Sequence, residues 1–160
     1  MTSHPLNRNG LQRFLDENRI AAKIISLPVH TATVAAAAEA LGVSAEQIIK
    51  SLVFRIDEVP LLVINNGLAR VDRKKLAAVM GVGKKKVKFA SPEQALTITG
   101  YGVGAMPPFG HHTRLRTVVD GAVMKLDEIY GGGGSIDAMM RLTPDELIRI
   151  TDAEVVEISE

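Results

Sequence analysis

Lys50 has the most unusual setting of any residue in this sequence that could do chemistry. It stands directly before Ser51-Leu52-Val53-Phe54, an apolar run with the composition of a buried strand. A Lys at such an entrance either snorkels to solvent or holds its ammonium at a cleft. A second chemical feature is the loop Tyr101-Gly102-Val103-Gly104-Ala105-Met106-Pro107-Pro108-Phe109-Gly110. Glycine lets main-chain N–H groups approach a ligand, and proline fixes the loop's shape. Such a segment can hold a carbonyl oxygen through its backbone. Its G-x-G pattern opens no helix, because Pro107 and Pro108 follow at once, so a dinucleotide fingerprint is disfavoured. A second glycine run, Gly131-Gly132-Gly133-Gly134-Ser135, lacks the Gly-Lys-Ser/Thr of a phosphate loop. Both runs also read as tight surface turns.

Several reaction classes drop out. The chain has no Cys, which removes disulfides, thiolate metal sites and a thiol nucleophile. No G-x-S-x-G elbow is present, so a serine-hydrolase triad is disfavoured. Of four histidines, His4 lies near the N-terminus, and the adjacent His111 and His112 would point apart on an extended chain. No H-E-x-x-H or similar spacing exists, and we expect no metal site and no cofactor. His30, beside Thr31 and Thr33, reads equally as a turn or capping residue and as a substrate contact.

Net charge is only +1, yet it is unevenly placed. Arg70, Arg73, Lys74, Lys75, Lys84, Lys85, Lys86 and Lys88 face a single acid, Asp72, within residues 70–88. Residues 127–160 instead carry nine acids against Arg141 and Arg149. The asymmetry suggests a polyanion docking on one face, with Arg70, Arg73, Lys74, Lys84, Lys85 and Lys86 as its contacts; a solvated Lys face explains the same pattern.

The elements that must position these residues alternate irregularly. Helices are expected at Leu6–Asn18, Thr33–Leu41, from Asp72 to Met80, after Ser91-Pro92, and after Thr143-Pro144-Asp145-Glu146, a capping-box sequence. Strands are expected at Lys23–Leu27, Ser51–Ile56, Leu61–Asn65, Val87–Ala90, Leu115–Val119, Ile136–Leu142 and Val155–Ile158. Asp57, Glu58 and Pro60 supply the turn of a hairpin, and Gly131 to Gly134 reads as a loop. Without regular βαβ alternation the chain reads as α+β, one domain over residues 1–160. The 160 residues, 46% apolar, suffice for one core. No apolar run is long enough to span a bilayer, and the N-terminus does not read as a signal peptide, so a cytoplasmic protein without membrane contact is expected.

In order and spacing, these motifs resemble the YbaK / prolyl-tRNA synthetase-associated editing domain. The resemblance rests on His30-Thr31 with the Ala-rich helix, on Leu41-Gly42, and on Ile48-Ile49-Lys50-Ser51-Leu52-Val53-Phe54. It rests also on Gly104 to Gly110, which fits the family's G-x-x-x-P loop, and on Gly132 to Ser135 followed by Leu142 to Leu147. It covers about Leu11 to Ile158. It implies a compact α+β domain with a mixed, partly barrel-like sheet flanked by helices. It implies hydrolysis of the ester of mischarged aminoacyl-tRNA, with the tRNA as partner and an aminoacyl-tRNA synthetase as a further one. The family's functional Lys falls on Lys50 and its loop on Gly104 to Pro108, so Lys50, Gly104 and Pro108 are the implied catalytic residues. The implied substrate contacts are His30, Thr31, Ser51, Ala105, Met106, Pro107, Phe109, Gly110, Gly134 and Ser135. Many members have a second Gly and a small polar residue where this chain has Ala105 and Pro107, and Met106 is bulkier than usual. Those departures bear on which amino acid is removed. The alternative is a non-catalytic module of the same fold that binds tRNA or an aminoacyl group.

Overall fold

The computed structural model describes residues 6–27 and 33–160. Five helices are present among them: α1 (Arg8–Glu17), α2 (Val34–Leu41), α3 (Arg73–Met80), α4 (Pro92–Thr99) and α5 (Pro144–Thr151). The strands are β1 (Lys23–Ser26), β2 (Ile49–Ile56), β3 (Val59–Asn66), β4 (Val87–Phe89), β5 (Thr117–Asp120), β6 (Ile129–Gly132), β7 (Ala138–Leu142) and β8 (Glu154–Val156). Local chemistry sets most of the ends. Asn7, Thr33, Asp72, Ser91 and Thr143 each cap a helix through a side-chain oxygen, and left-handed Gly42, Gly81 and Gly100 end α2, α3 and α4.

The strands form two sheets. One is antiparallel, in the order β1-β7-β6; the other is mixed, in the order β4-β2-β3-β5-β8. β4, β2 and β3 run antiparallel, whereas β3, β5 and β8 run parallel. A parallel bridge between Ile48 and Tyr130 joins the sheets without closing a barrel. β3 is central and covered on both faces, which is why Leu61-Leu62-Val63-Ile64 is apolar without alternation. Leu62 and Ile64 pack with Leu11, Leu15, Met140 and Leu147 on one side. Leu61 and Val63 pack with Leu76, Val87, Val118 and Ile158 on the other. Burying each such side chain contributes about 1.5–3 kcal/mol.

Three local expectations change. Asp57 and Glu58 alone make the β2–β3 turn, both at positive φ as a two-residue hairpin requires. Pro60 lies inside β3 opposite Arg55, at a position whose missing N–H would point away from β2. Gly131 and Gly132 are strand residues of β6, paired with Met140 and Met139, rather than loop. Contact explains that glycine: a Cβ on Gly132 would stand 2.1 Å from the Met106 carbonyl oxygen. The capping box at Thr143 is half formed. Thr143 Oγ1 accepts from the Glu146 N–H, but the Glu146 carboxylate turns to the Ala21 N–H and the Arg149 guanidinium.

Two outcomes follow from these contacts. The hydrogen bond from Arg149, aided by the Ala21 N–H, outweighs burial and lowers the Glu146 pKa from 4.5 to about 2. A carboxyl depressed on folding stabilises the protein above its unfolded pKa, and that contribution is lost as pH falls from 4.5 to about 2. Glu146→Gln should flatten the stability–pH curve across that window in urea titrations. Gly132→Ala should lower stability by about 1–3 kcal/mol, because backbone must move to admit the Cβ. Gly83→Ala, where the Cβ meets open space at φ −73°, should stay within about 0.5 kcal/mol.

Candidate active site

The outer edge of β2, on the side away from β3, is only partly covered. Gly67 N–H donates to Ile48 O, which makes Ile48 and its alternates, Lys50, Leu52 and Phe54, the residues bonded to β3. The main-chain groups of Ile49, Ser51 and Val53 therefore point outward. Val53 O accepts from Ala90 N–H where β4 ends, and Ile48 bridges Tyr130 at the other end. Ser51 lies between, with its N–H and C=O at an open edge. That edge borders a largely apolar cleft of about 380 Å³. Its far walls come from Thr33, Val34 and Ala37 of α2, Met139, Gly132, and Val103, Gly104 and Met106 of the glycine–proline loop.

Alternation along β2 puts Ser51 on the same face as Ile49 and Val53, and Lys50 on the opposite face with Leu52 and Phe54. Ser51 Oγ is buried and has no hydrogen-bond partner among the described residues. Lys50 Nζ donates to Ala69 O at 2.8 Å, sharing that acceptor with Asn65 Nδ2 at 3.3 Å. Burial, and then the positive charge of Arg70, pull the Lys50 pKa below its ordinary value. Asn65 faces Lys50 across the hairpin and is fully buried, and its Oδ1 has no partner among the described residues. An Asn-Asn-Gly sequence reads as a turn, and Asn66 does hold one through its Oδ1. The buried polar role of Asn65 has no local signature.

The loop splits between two sides. Gly104, at φ +92°, and Met106 line the cleft. Ala105 and Pro107 act as struts: Ala105 O accepts from Gly134 N–H at 3.0 Å, and Pro107 O accepts from His111 Nε2–H at 2.8 Å. His111 is half-buried, and that loss of solvent lowers its pKa; its ring meets the Tyr101 ring edge-on. Pro108, Phe109 and Gly110 do not line this cleft. They border a separate cleft of about 340 Å³ with His111, Arg114 and Arg149, where Phe109 stacks on Phe14. Ser135 Oγ accepts from Arg8 N–H, and a Cβ on Gly134 would strike the Arg8 backbone, so both seat α1. His30 and Thr31 lie outside the described residues. Lys50, Ser51, Gly104 and Met106 are thus the sequence-derived residues that the fold brings to one cleft.

The basic cluster is also divided. Arg73 donates twice to Val87 O and so ties α3 to β4. Lys86 pairs with Asp57 and Lys88 with Glu58. Lys84 and Lys85 are exposed without an ion pair among the described residues, Lys74 is exposed, and Arg70 stands exposed beside Lys50. No His, Asp or Glu among the described residues lines the cleft, and no three metal-ligating side chains converge among them. The described site therefore offers one ammonium, one free hydroxyl and open main-chain groups. That set can bind and polarise a carbonyl, and among the described residues no side-chain base stands beside Ser51 to make it a nucleophile.

Comparison with known proteins gives the same setting a family. The chain is 32% identical over 126 residues to the uncharacterized protein YwhH of Bacillus subtilis, covering 78% of each. It is 33% identical over 76 residues to the multifunctional Ser/Thr-tRNA deacylase ProXp-y of Escherichia coli, covering 47% of this chain and 46% of that protein. A crystal structure described as a candidate trans-editing enzyme for prolyl-tRNA synthetase superposes with a TM-score of 0.89 at 32% identity, covering 96% of both chains. The family model of the aminoacyl-tRNA editing domain matches residues 28–150, and the chain belongs to that family.

Proposed function

We propose that this protein hydrolyses the ester of mischarged tRNA carrying a small amino acid, acting in trans, in the cleft between β2 and the Gly104 loop. Family membership and the deacylase relative support an ester hydrolase of mischarged tRNA. The observation that carries the site assignment is the open β2 edge. It presents the Ser51 main chain and its Oγ, which has no partner among the described residues, to an apolar cleft, with the Lys50 ammonium on the same strand.

An aminoacyl ester is already activated, so positioning and charge stabilisation suffice. Water attacks the carbonyl carbon, the carbon–oxygen bond to the ribose breaks, and the ribose oxygen leaves with a proton. The products are the free amino acid and uncharged tRNA. Ser51 and the main chain at Gly104 would hold the carbonyl as it gains negative charge; one such donor is worth about 3–4 kcal/mol in the transition state. Lys50, already partly stripped of water, would steady the ribose, its phosphate or the developing oxyanion. With no acid or His among the described lining residues, the attacking water would take help from the neighbouring ribose hydroxyl. Met106, Met139 and Ala37 fill the inner wall and would exclude large side chains. A charged-tRNA substrate supports a cytoplasmic setting, and the trans-editing relative supports an aminoacyl-tRNA synthetase as a further partner.

Lys50→Ala tests the site. Ala69 O keeps its bond from Asn65, and the cost of burying the ammonium disappears, so folding should change by about 1 kcal/mol or less. Deacylation of a mischarged tRNA panel should fall by roughly ten- to a thousandfold. Wild-type rates in this variant would remove Lys50 from the site. Amino acid release continuing past one equivalent separates an enzyme from a binding module.

Docking has its own measurement. Lys84 and Lys85 are free to neutralise phosphates, so replacing both by Ala should weaken tRNA binding. The slope of log affinity against log salt should become shallower by roughly one to two. An unchanged slope would place the tRNA on another face.

A further inference from the structure

Phe89 is the exception among the chain's aromatic side chains. Phe54, Tyr101, Phe109 and Tyr130 are buried, and Phe14 is half-buried against Phe109. Phe89 alone is 58% exposed. It ends β4, the short edge strand, directly opposite Phe54 in register. Its ring meets Phe54 with centroids 4.8 Å apart at 51°, so one side is held by the core and the remainder stands open. A single exposed apolar side chain is ordinary, so what matters for Phe89 is where its open ring face stands.

Its neighbours are those a nucleotide needs. Phe89 lines the mouth of the cleft, as does Val103 of the glycine–proline loop, itself 68% exposed. Cross-strand partners share a face, so Phe89 lies on the Lys50 side of the sheet, beside the row Lys50, Leu52, Phe54. Lys50 and Phe54 are four residues apart, about 13 Å along the strand. That is within the span of a nucleoside with its aminoacyl group. The unpaired Lys84 and Lys85 sit in the turn that delivers the chain into β4. An exposed ring flanked by free cations is the pattern by which proteins hold unpaired bases, through stacking on the ring and phosphate contacts beside it. A base inside a duplex cannot reach such a ring; one at a single-stranded end can.

We propose that Phe89 is the stacking platform for the terminal base of the tRNA acceptor end, placing the ester at Lys50 and Ser51. The inference rests on the deacylase reading of the cleft and names a positioning residue for it. The probe is an acceptor-stem RNA hairpin with a single-stranded 3′ end whose last base is 2-aminopurine. Wild-type protein should quench its fluorescence on binding. Phe89→Leu, which keeps apolar cover over Phe54, should lose the quench and bind roughly ten- to a hundredfold more weakly. Phe89→Trp should retain both. With an abasic 3′ terminus, wild type and Phe89→Leu should bind alike. Wild-type binding and quench in Phe89→Leu would overturn the platform, as would a difference that persists on the abasic probe. Parallel deacylation assays separate the two readings. Turnover without dependence on Phe89 sinks the platform alone. Phe89-dependent quenching without turnover sinks the hydrolytic reading alone. Binding of the probe by neither protein sinks the platform.

Discussion

β2 bonds to β3 along its whole length but to β4 only over Phe54 to Ile56, and this unequal pairing shapes everything around the cleft. A strand edge inside a folded domain must be paired, covered or put to use, because unpaired main-chain groups are costly away from water. Here β4 stops at Phe89 and the chain turns into α4, while β6 meets the other end of β2 at the Ile48–Tyr130 bridge and the Gly131–Ile49 contact without forming a ladder with it. Ser51 is left between them. The cleft is the space that the two sheets fail to close, and its floor is the strand edge itself.

Backbone packed against backbone keeps that space from collapsing. Gly132 lets β6 pass the Met106 carbonyl, Gly131 approaches Pro108 and Ile49, and Gly134 donates to Ala105. His111 holds the next carbonyl of the loop, at Pro107. The glycine–proline loop is therefore restrained from both sides by hydrogen bonds to its main chain. Such restraint leaves Gly104 at its left-handed φ and Met106 against the cleft.

Lys50 shows how burial and partnership divide the work of an ammonium. Desolvation and Arg70 act against its charge, while the Ala69 carbonyl gives it a single fixed acceptor. An incompletely solvated ammonium gains more from an anionic partner than an exposed one does, because little water must be displaced. Asn65 Oδ1 and Ser51 Oγ are further polar atoms of the same hairpin, without partners among the described residues.

Local information in the sequence was enough for the family and for most of the elements, though not for β6. Caps at Asp72 and Ser91, the stop at Gly42, the apolar runs of β2 and β3, and Lys50 beside its loop are all short-range signals that a chain carries residue by residue. Where side chains end up is decided at long range. Pro108, Phe109 and Gly110 follow Gly104 in sequence yet face a different cleft, because α1 packs Phe14 onto Phe109. Arg73 belongs to a basic run, yet the tertiary approach of α3 to β4 commits it to the Val87 carbonyl. Gly131 and Gly132 looked like a loop because glycine weakens strand propensity. They are strand because β7 pairs with them and the loop carbonyl leaves no room for a Cβ. Phe89 carries no motif at all, and its exposure beside the cleft exists only because β4 ends where β2 is still unpaired. The sequence by itself determined most of the elements and the family they belong to, since propensity, capping and periodicity act within a few residues. The tertiary structure decided which of those residues share a cleft, since that depends on pairings between segments far apart in the chain.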